Sequence, residues 1–227
     1  IITVRETVVY SGKYQTQNKE ISSTIYKTMR TNTPTLTTDR LILRKFHAAD
    51  INDLISIFSD TIVNEFLPMY PLKNMDAAHK FFAENYIETY NKPFGYKYAI
   101  CMKTDNIPIG YVNLSTNKSC DLGYGLRKEF WHKGIATEAS KALLVQAKND
   151  GFRYVTATHD INNPRSGSVM KALGMSYQYA YSELWQPKNI FVKFRMYQLN
   201  FDKNVPVYME YWNKYEQHYI ETNLCVE

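Results

Sequence analysis

A chain of 227 residues, 44% hydrophobic and 22% charged, can close one globular core and carry at most a modest appendage. Its 27 Lys and Arg against 22 Asp and Glu give a formal charge of +5, spread along the chain without a basic block, which argues against a nucleic-acid partner. No apolar run reaches the ~18 residues of a membrane helix, and Cys101, Cys120 and Cys225 lack both metal-ligand spacing and an even number, so the expectation is a cytoplasmic protein with no membrane, nucleic acid or metal among its partners.

Residues 1–33 stand apart as an N-terminal extension. They begin with Ile, run polar from 10 to 32, and offer a strand only over 1–10; Met29 is a natural start. Leu41–Arg44 reads as a strand. Asp50 then stands where a helix cap is needed, ahead of Ile51, Leu54, Ile55 and Phe58 at helical spacing. Asp76 is placed the same way before Ala78, Phe81, Phe82 and Asn85. A hairpin follows, from 96–102 through Thr104-Asp105-Asn106 to 109–115, and then a strand over 121–127. Ile135, Ala139, Ala142, Leu143 and Ala147 share one face of a helix closed by Gly151. Residues 154–159 form a further strand. Asn163 and Pro164 give the cap and first turn of a short helix ending at Gly174, and 190–199 is the last strand. This order predicts an α/β (α+β) fold with a mixed sheet. In the tail, 201–227, Tyr208, Tyr211, Trp212, Tyr215 and Tyr219 lie near helical spacing, so a helix is expected that docks on its own domain or, as a homodimer, on a second subunit.

The stretch 121–174 carries the chemistry. A strand ends at Arg127, a loop passes through Lys133-Gly134, and a helix starts at once. The first turn of a helix leaves backbone N–H groups unbonded at the positive end of its dipole, which suits an anion. Gly134 removes a Cβ where a phosphate needs close approach. After the next strand, Asn163 and Ser166 open a second helix. Taken singly, plain capping and a hydroxyl bonded within its own turn explain these two residues. Together, two neighbouring strands that each lead into a polar helix start make a pocket for a phosphate-bearing ligand.

Three segments in order, Asp121-Leu-Gly-Tyr-Gly-Leu-Arg127, Phe130-Trp-His-Lys-Gly-Ile-Ala-Thr-Glu-Ala139 and Asn163-Pro-Arg-Ser-Gly-Ser-Val-Met-Lys-Ala-Leu-Gly-Met175, resemble the GNAT acetyltransferase superfamily. Within it the likeness is closest to the branch that acetylates protein N-termini, the ribosomal-protein alanine N-acetyltransferase type. The opening Thr38-Asp-Arg-Leu-Ile-Leu-Arg44, followed by Asp50, fits the same branch. The resemblance sets the domain at 34–200. It implies a mostly antiparallel sheet flanked by helices, with a V-shaped split between the strands at 121–127 and 154–159 into which the pantetheine arm of acetyl-CoA inserts. Leu126 and Arg127 would offer that arm backbone hydrogen bonds. His132, Lys133, Gly134, Ile135, Ala136 and Thr137 would surround the pyrophosphate, Asn163 would touch the arm, and Ser166 would be the catalytic group near the sulphur. Acetyl-CoA is the implied cosubstrate, with no metal. The sequence departs from the family cradle at Glu129 and His132, and Met170 stands where many relatives carry a tyrosine acid.

The implied reaction is direct transfer of the acetyl group to a primary amine in a ternary complex, the acceptor being a protein N-terminus or a small molecule. A protonated amine needs a route for its proton, and Glu183 and Tyr124 are the candidate bases. Cys101 and Cys120 have no neighbouring His in sequence, which disfavours a covalent acetyl-enzyme. The other readings are an acetyltransferase for small amines or antibiotics and a non-catalytic CoA-binding or interaction module. The acceptor pocket is expected from the first two helices and the loops near 60–95 and 176–190.

Overall fold

The computed structural model describes residues 31–222. The expected strand at 1–10, the start at Met29 and Cys225 lie outside the described residues. The compact unit begins at Asn32. Asn32 and Thr33 are buried, with the Asn32 side-chain amide donating to the Thr89 and Lys92 carbonyls and Thr33 N–H donating to the Gly95 carbonyl.

The first sheet runs in chain order: β1 (Leu36–Thr37), β2 (Leu41–Arg44), β3 (Tyr96–Met102), β4 (Pro108–Leu114) and β5 (Leu122–Leu126), each antiparallel to the next. Between β2 and β3 lie α1 (Ile51–Ser59), α2 (Thr61–Asn64) and α3 (Met75–Phe82), the last continuing through a π-helical turn, Ala83–Ile87, into α4 (Glu88–Tyr90). The second sheet has the order β6 (Tyr154–Asp160), β8 (Ile190–Asn200), β7 (Ser176–Trp185), β9 (His218–Tyr219), again antiparallel throughout. Helix α5 (Ile135–Asn149) joins the two sheets, and α6 (Pro164–Ala172) follows β6.

Alternation along β5 divides the core. Leu122 and Leu126 point to one face, where they pack with Ile135, Ala139 and Leu143 of α5 and with Val155 and Ala157 of β6. The opposite face of the first sheet meets α1 and α3 through Ala99, Cys101 and Tyr111, with the Phe58 and Tyr111 rings stacked at 5.1 Å. A third cluster covers β7 and β8.

Four expectations are corrected. Asp50 does not cap α1 with its side chain. It is buried and pairs with Arg44 at 2.6 and 3.0 Å, while Oδ2 accepts from His47 N–H at 2.7 Å. The Arg44 guanidinium and the His47 amide hold its carboxyl below the usual range against the cost of burial. The cap of α3 is Asn74, whose Oδ1 accepts from Ala77 N–H at 2.9 Å, and Asp76 lies in the first turn. Finally, residues 176–185, expected as loop, form strand β7, with Tyr179 and Tyr181 buried on one side. In the tail, expected as a helix, the described part holds only the short α7 (Glu210–Lys214) before β9 pairs with β7. Its rings do dock on the domain: Tyr211 and Tyr215 stack on Tyr181 at 5.2 and 5.0 Å, and Trp212 meets Tyr179 edge-on.

Candidate active site

Strands β5 and β6 run parallel but are joined only at their start. A single bridge links Asp121 and Thr156, Thr156 N–H donates to the Cys120 carbonyl at 3.1 Å, and the Thr156 hydroxyl donates to the Ser119 carbonyl at 2.7 Å. Beyond that vertex no bridge joins them among the described residues, and the V-shaped gap opens into a cleft of about 780 Å³.

Register decides which backbone groups face the gap. Arg127 N–H bonds to the Ile109 carbonyl and Ser115 N–H to the Asp121 carbonyl, so the odd-numbered residues of β5 turn their backbone groups toward β4. Tyr124 and Leu126 therefore turn theirs toward β6. This corrects the expectation for Arg127, whose amide is committed to Ile109. Leu126 keeps its place on the gap, although the Trp131 indole N–H donates to its carbonyl at 2.8 Å.

The loop before α5 is held from behind. His132 and Gly134 both adopt left-handed backbone angles, φ 58° and 70°. Arg40 donates to the Lys133 carbonyl at 3.0 Å and is fixed by Glu138 of α5, 2.6 Å away, which also accepts from the Thr38 hydroxyl. Since carbonyl and N–H of a trans peptide point opposite ways, Arg40 turns the Gly134 N–H away from itself. The first helical bond of α5 is Glu138 N–H to the Gly134 carbonyl. Among the described residues, no acceptor meets the amides from His132 to Thr137. Glu129, one departure from the family cradle, is paired with Arg127 at 2.6 Å.

Helix α6 supplies the other lip. Asn163 caps it, its Oδ1 accepting from Ser166 N–H at 3.4 Å. Gly167 lets the helix approach β6, since a Cβ there would lie 2.7 Å from Nε2 of the buried His159. Ser166 meets Tyr124 twice: the phenol donates to the Ser166 carbonyl at 2.7 Å, and the serine hydroxyl donates to the phenol oxygen at 3.1 Å. Burial drives the Tyr124 phenol well above its ordinary pKa. The expectation that Tyr124 could be a base is set against that raised pKa and the commitment of its proton to the Ser166 carbonyl. Glu183 is placed away from the cleft lining, with the Tyr215 hydroxyl as its partner.

Leu126, His132, Gly134, Ile135, Ala136, Thr137, Asn163 and Ser166 thus line one cleft, whereas Arg127 and Lys133 do not. Sequence reasoning passed over Arg165, whose guanidinium lies 4.3 Å over the Trp131 ring at the same lip. It also passed over Asp121, at the vertex, where burial and the negative charge of Glu183 push the carboxyl up to about 7 against the Thr156 hydrogen bond. The cleft is walled as well by Ile62, Phe66 and Leu67 and by Trp185 and Phe194. The β7–β8 hairpin is tied to this loop: Lys188 Nζ donates to the Asn64 carbonyl at 2.8 Å, and the Tyr70 hydroxyl to the Pro187 carbonyl at 3.3 Å.

A left-handed glycine, a run of unbonded amides opening a 15-residue helix, and a gap between diverging strands fit the pyrophosphate and pantetheine of CoA. Comparison with known proteins agrees. Residues 40–176 match the acetyltransferase (GNAT) domain model. The uncharacterized N-acetyltransferase YoaA of Bacillus subtilis is 24% identical over 148 residues, covering 62% of this chain and 82% of that protein. A GNAT-family acetyltransferase from Bacillus anthracis superposes with a TM-score of 0.65 at 20% identity, over 74% of this chain and 98% of the other. The Salmonella typhimurium acetyl transferase that modifies the N-terminal serine of ribosomal protein L7/L12 gives 0.65 at 18% identity, over 74% and 100%. The domain match spans more than half of the chain, which therefore belongs to the GNAT family of enzymes that transfer acetyl groups from acetyl-CoA.

Proposed function

We propose that this acetyltransferase passes the acetyl group directly to a primary amine, on a small molecule or a protein N-terminus in the cytoplasm, with Ser166 acting at the departing sulphur. Acetyl-CoA supplies the acetyl group already activated as a thioester. The amides from His132 to Thr137 would hold its pyrophosphate, and the edge of β5 at Tyr124 and Leu126, with Asn163 opposite, would hold the arm. Among the described residues, neither cysteine is poised to carry the acetyl group in between: burial pushes the Cys101 thiol up to about 12 and raises Cys120 as well, which keeps both protonated at neutral pH.

The observation that carries this reading is the Ser166–Tyr124 pair at the lip of the gap. The phenol proton is committed to the Ser166 carbonyl, so the phenol oxygen accepts the serine proton and fixes the hydroxyl in place. A hydroxyl held this way can turn its proton to an anion that forms beside it. On the acceptor side the walls are apolar and aromatic, which suits an amine borne on an apolar group better than a polyamine.

CoA release by the wild-type chain, measured across arylalkylamines, polyamines and peptides of varied N-terminal residue, tests this. Turnover with apolar-bodied amines is expected. Binding of acetyl-CoA without turnover of any acceptor would overturn it.

A further inference from the structure

Resting on that reading, we propose that Asp121 is the group that takes the proton from the acceptor amine, and that the amine is seated beside it at Gly123. Asp121, Gly123 and Gly125 share one face of β5, opposite the face that Leu122 and Leu126 bury against α5. The two glycines differ. A Cβ on Gly125 would strike the Tyr111 ring at 2.6 Å, so its missing side chain is explained by packing. A Cβ on Gly123 would meet nothing within 4 Å. Packing does not require that glycine, and Gly123 lines the cleft that Ile62, Leu67 and Trp185 also line. Asp121, one alternation back on the same face, is the acidic group at the closed end of that space, beside the bridge from which the strands diverge.

The surroundings of Asp121 leave it suited to holding a proton. Thr156 on β6 is its hydrogen-bond partner, 3.4 Å away. Among the described residues, Glu183 and Tyr181 on β7, Tyr211 on α7 and Tyr124 on β5 interact with it. Burial, with the negative charge of Glu183 nearby, brings the carboxyl to about 7, which matches a base working near neutral pH. In the transfer, the amine nitrogen bonds to the acetyl carbon as the carbon–sulphur bond breaks. The nitrogen's surplus proton passes to the Asp121 carboxylate, the departing thiolate takes the Ser166 hydroxyl proton, and exchange with solvent then removes the proton from Asp121 and returns one to Ser166, so the exchange balances.

The test is the pH dependence of kcat for Asp121→Asn beside the wild type, with the best amine of the panel and acetyl-CoA binding measured in parallel. Because the base must be ionised, wild-type kcat is expected to fall as pH drops through about 7. In Asp121→Asn, kcat falls about a hundredfold and that acidic limb disappears, with the Kd for acetyl-CoA within about twofold. A side chain at Gly123 has room within the fold, so Gly123→Val is the second variant: the amine KM is expected to rise at least about tenfold, with the Kd for acetyl-CoA again unchanged. Wild-type turnover combined with an unaltered limb in Asp121→Asn, or an unaltered amine KM in Gly123→Val, would overturn this assignment alone. Acetyl-CoA binding with no turnover of any amine by the wild type would overturn the transfer reading and this assignment together.

Discussion

The two sides of the cleft are built in different ways. The proposed cofactor side consists mainly of backbone: amides from His132 to Thr137 and the outward groups of Tyr124 and Leu126. Side chains serve it indirectly, as when Glu138 fixes Arg40 and Arg40 fixes the Lys133 carbonyl. The proposed acceptor side consists of residues brought together from α2 and the loop after it, from β5 and from β7 and β8. A backbone site tolerates changes of residue type as long as the angles survive, so His132 can stand in the loop at φ 58°. A side-chain site does not, and specificity belongs there.

That contrast can be broken by substitution, beginning where the two sides meet. Ser166→Ala is expected to lower kcat about a hundredfold, the low end for losing a general acid, while acetyl-CoA affinity holds. Tyr124→Phe should cost less, because it frees the serine hydroxyl without removing it. Equal kcat in Ser166→Ala and wild type would remove Ser166 from the chemistry. A smaller effect is expected on the backbone side. In Gly134→Val the new Cβ meets nothing closer than Arg40 Nη2 at 3.7 Å, so the penalty comes from the left-handed φ of 70°, about 1–2 kcal/mol. The loop can relieve that strain by turning its amides, and calorimetry should then show acetyl-CoA affinity about tenfold weaker with the thermal midpoint only slightly lowered. Equal affinities would contradict the role given to the loop.

The same contrast explains what could be read from the sequence. The elements from β3 to α6 follow from period-two and period-3.6 patterns, and Gly134, Asn163 and Ser166 stood out because helix starts have few solutions. Arg127 was misassigned because sequence does not reveal which alternate residues turn their backbone toward β4. Strand β7 did carry a signal, Tyr177, Tyr179 and Tyr181 at period two, blurred by the apolar Ala180 between the last two and by an irregular register between Tyr177 and Tyr179. Asp50 and Asp76 had the right residue type for caps, but the nearby Arg44 and Asn74 decided otherwise. Asp121 was not legible at all. Its character comes from burial beside Thr156 and Glu183, which are distant in sequence.

The proposed grip of the α5 amides on a diphosphate can be tested directly by amide hydrogen exchange with and without acetyl-CoA. Protection of Gly134, Ile135, Ala136 and Thr137 on binding is the expected result, since those N–H groups have no acceptor among the described residues. Exchange there that stays unchanged while acetyl-CoA is demonstrably bound would contradict it.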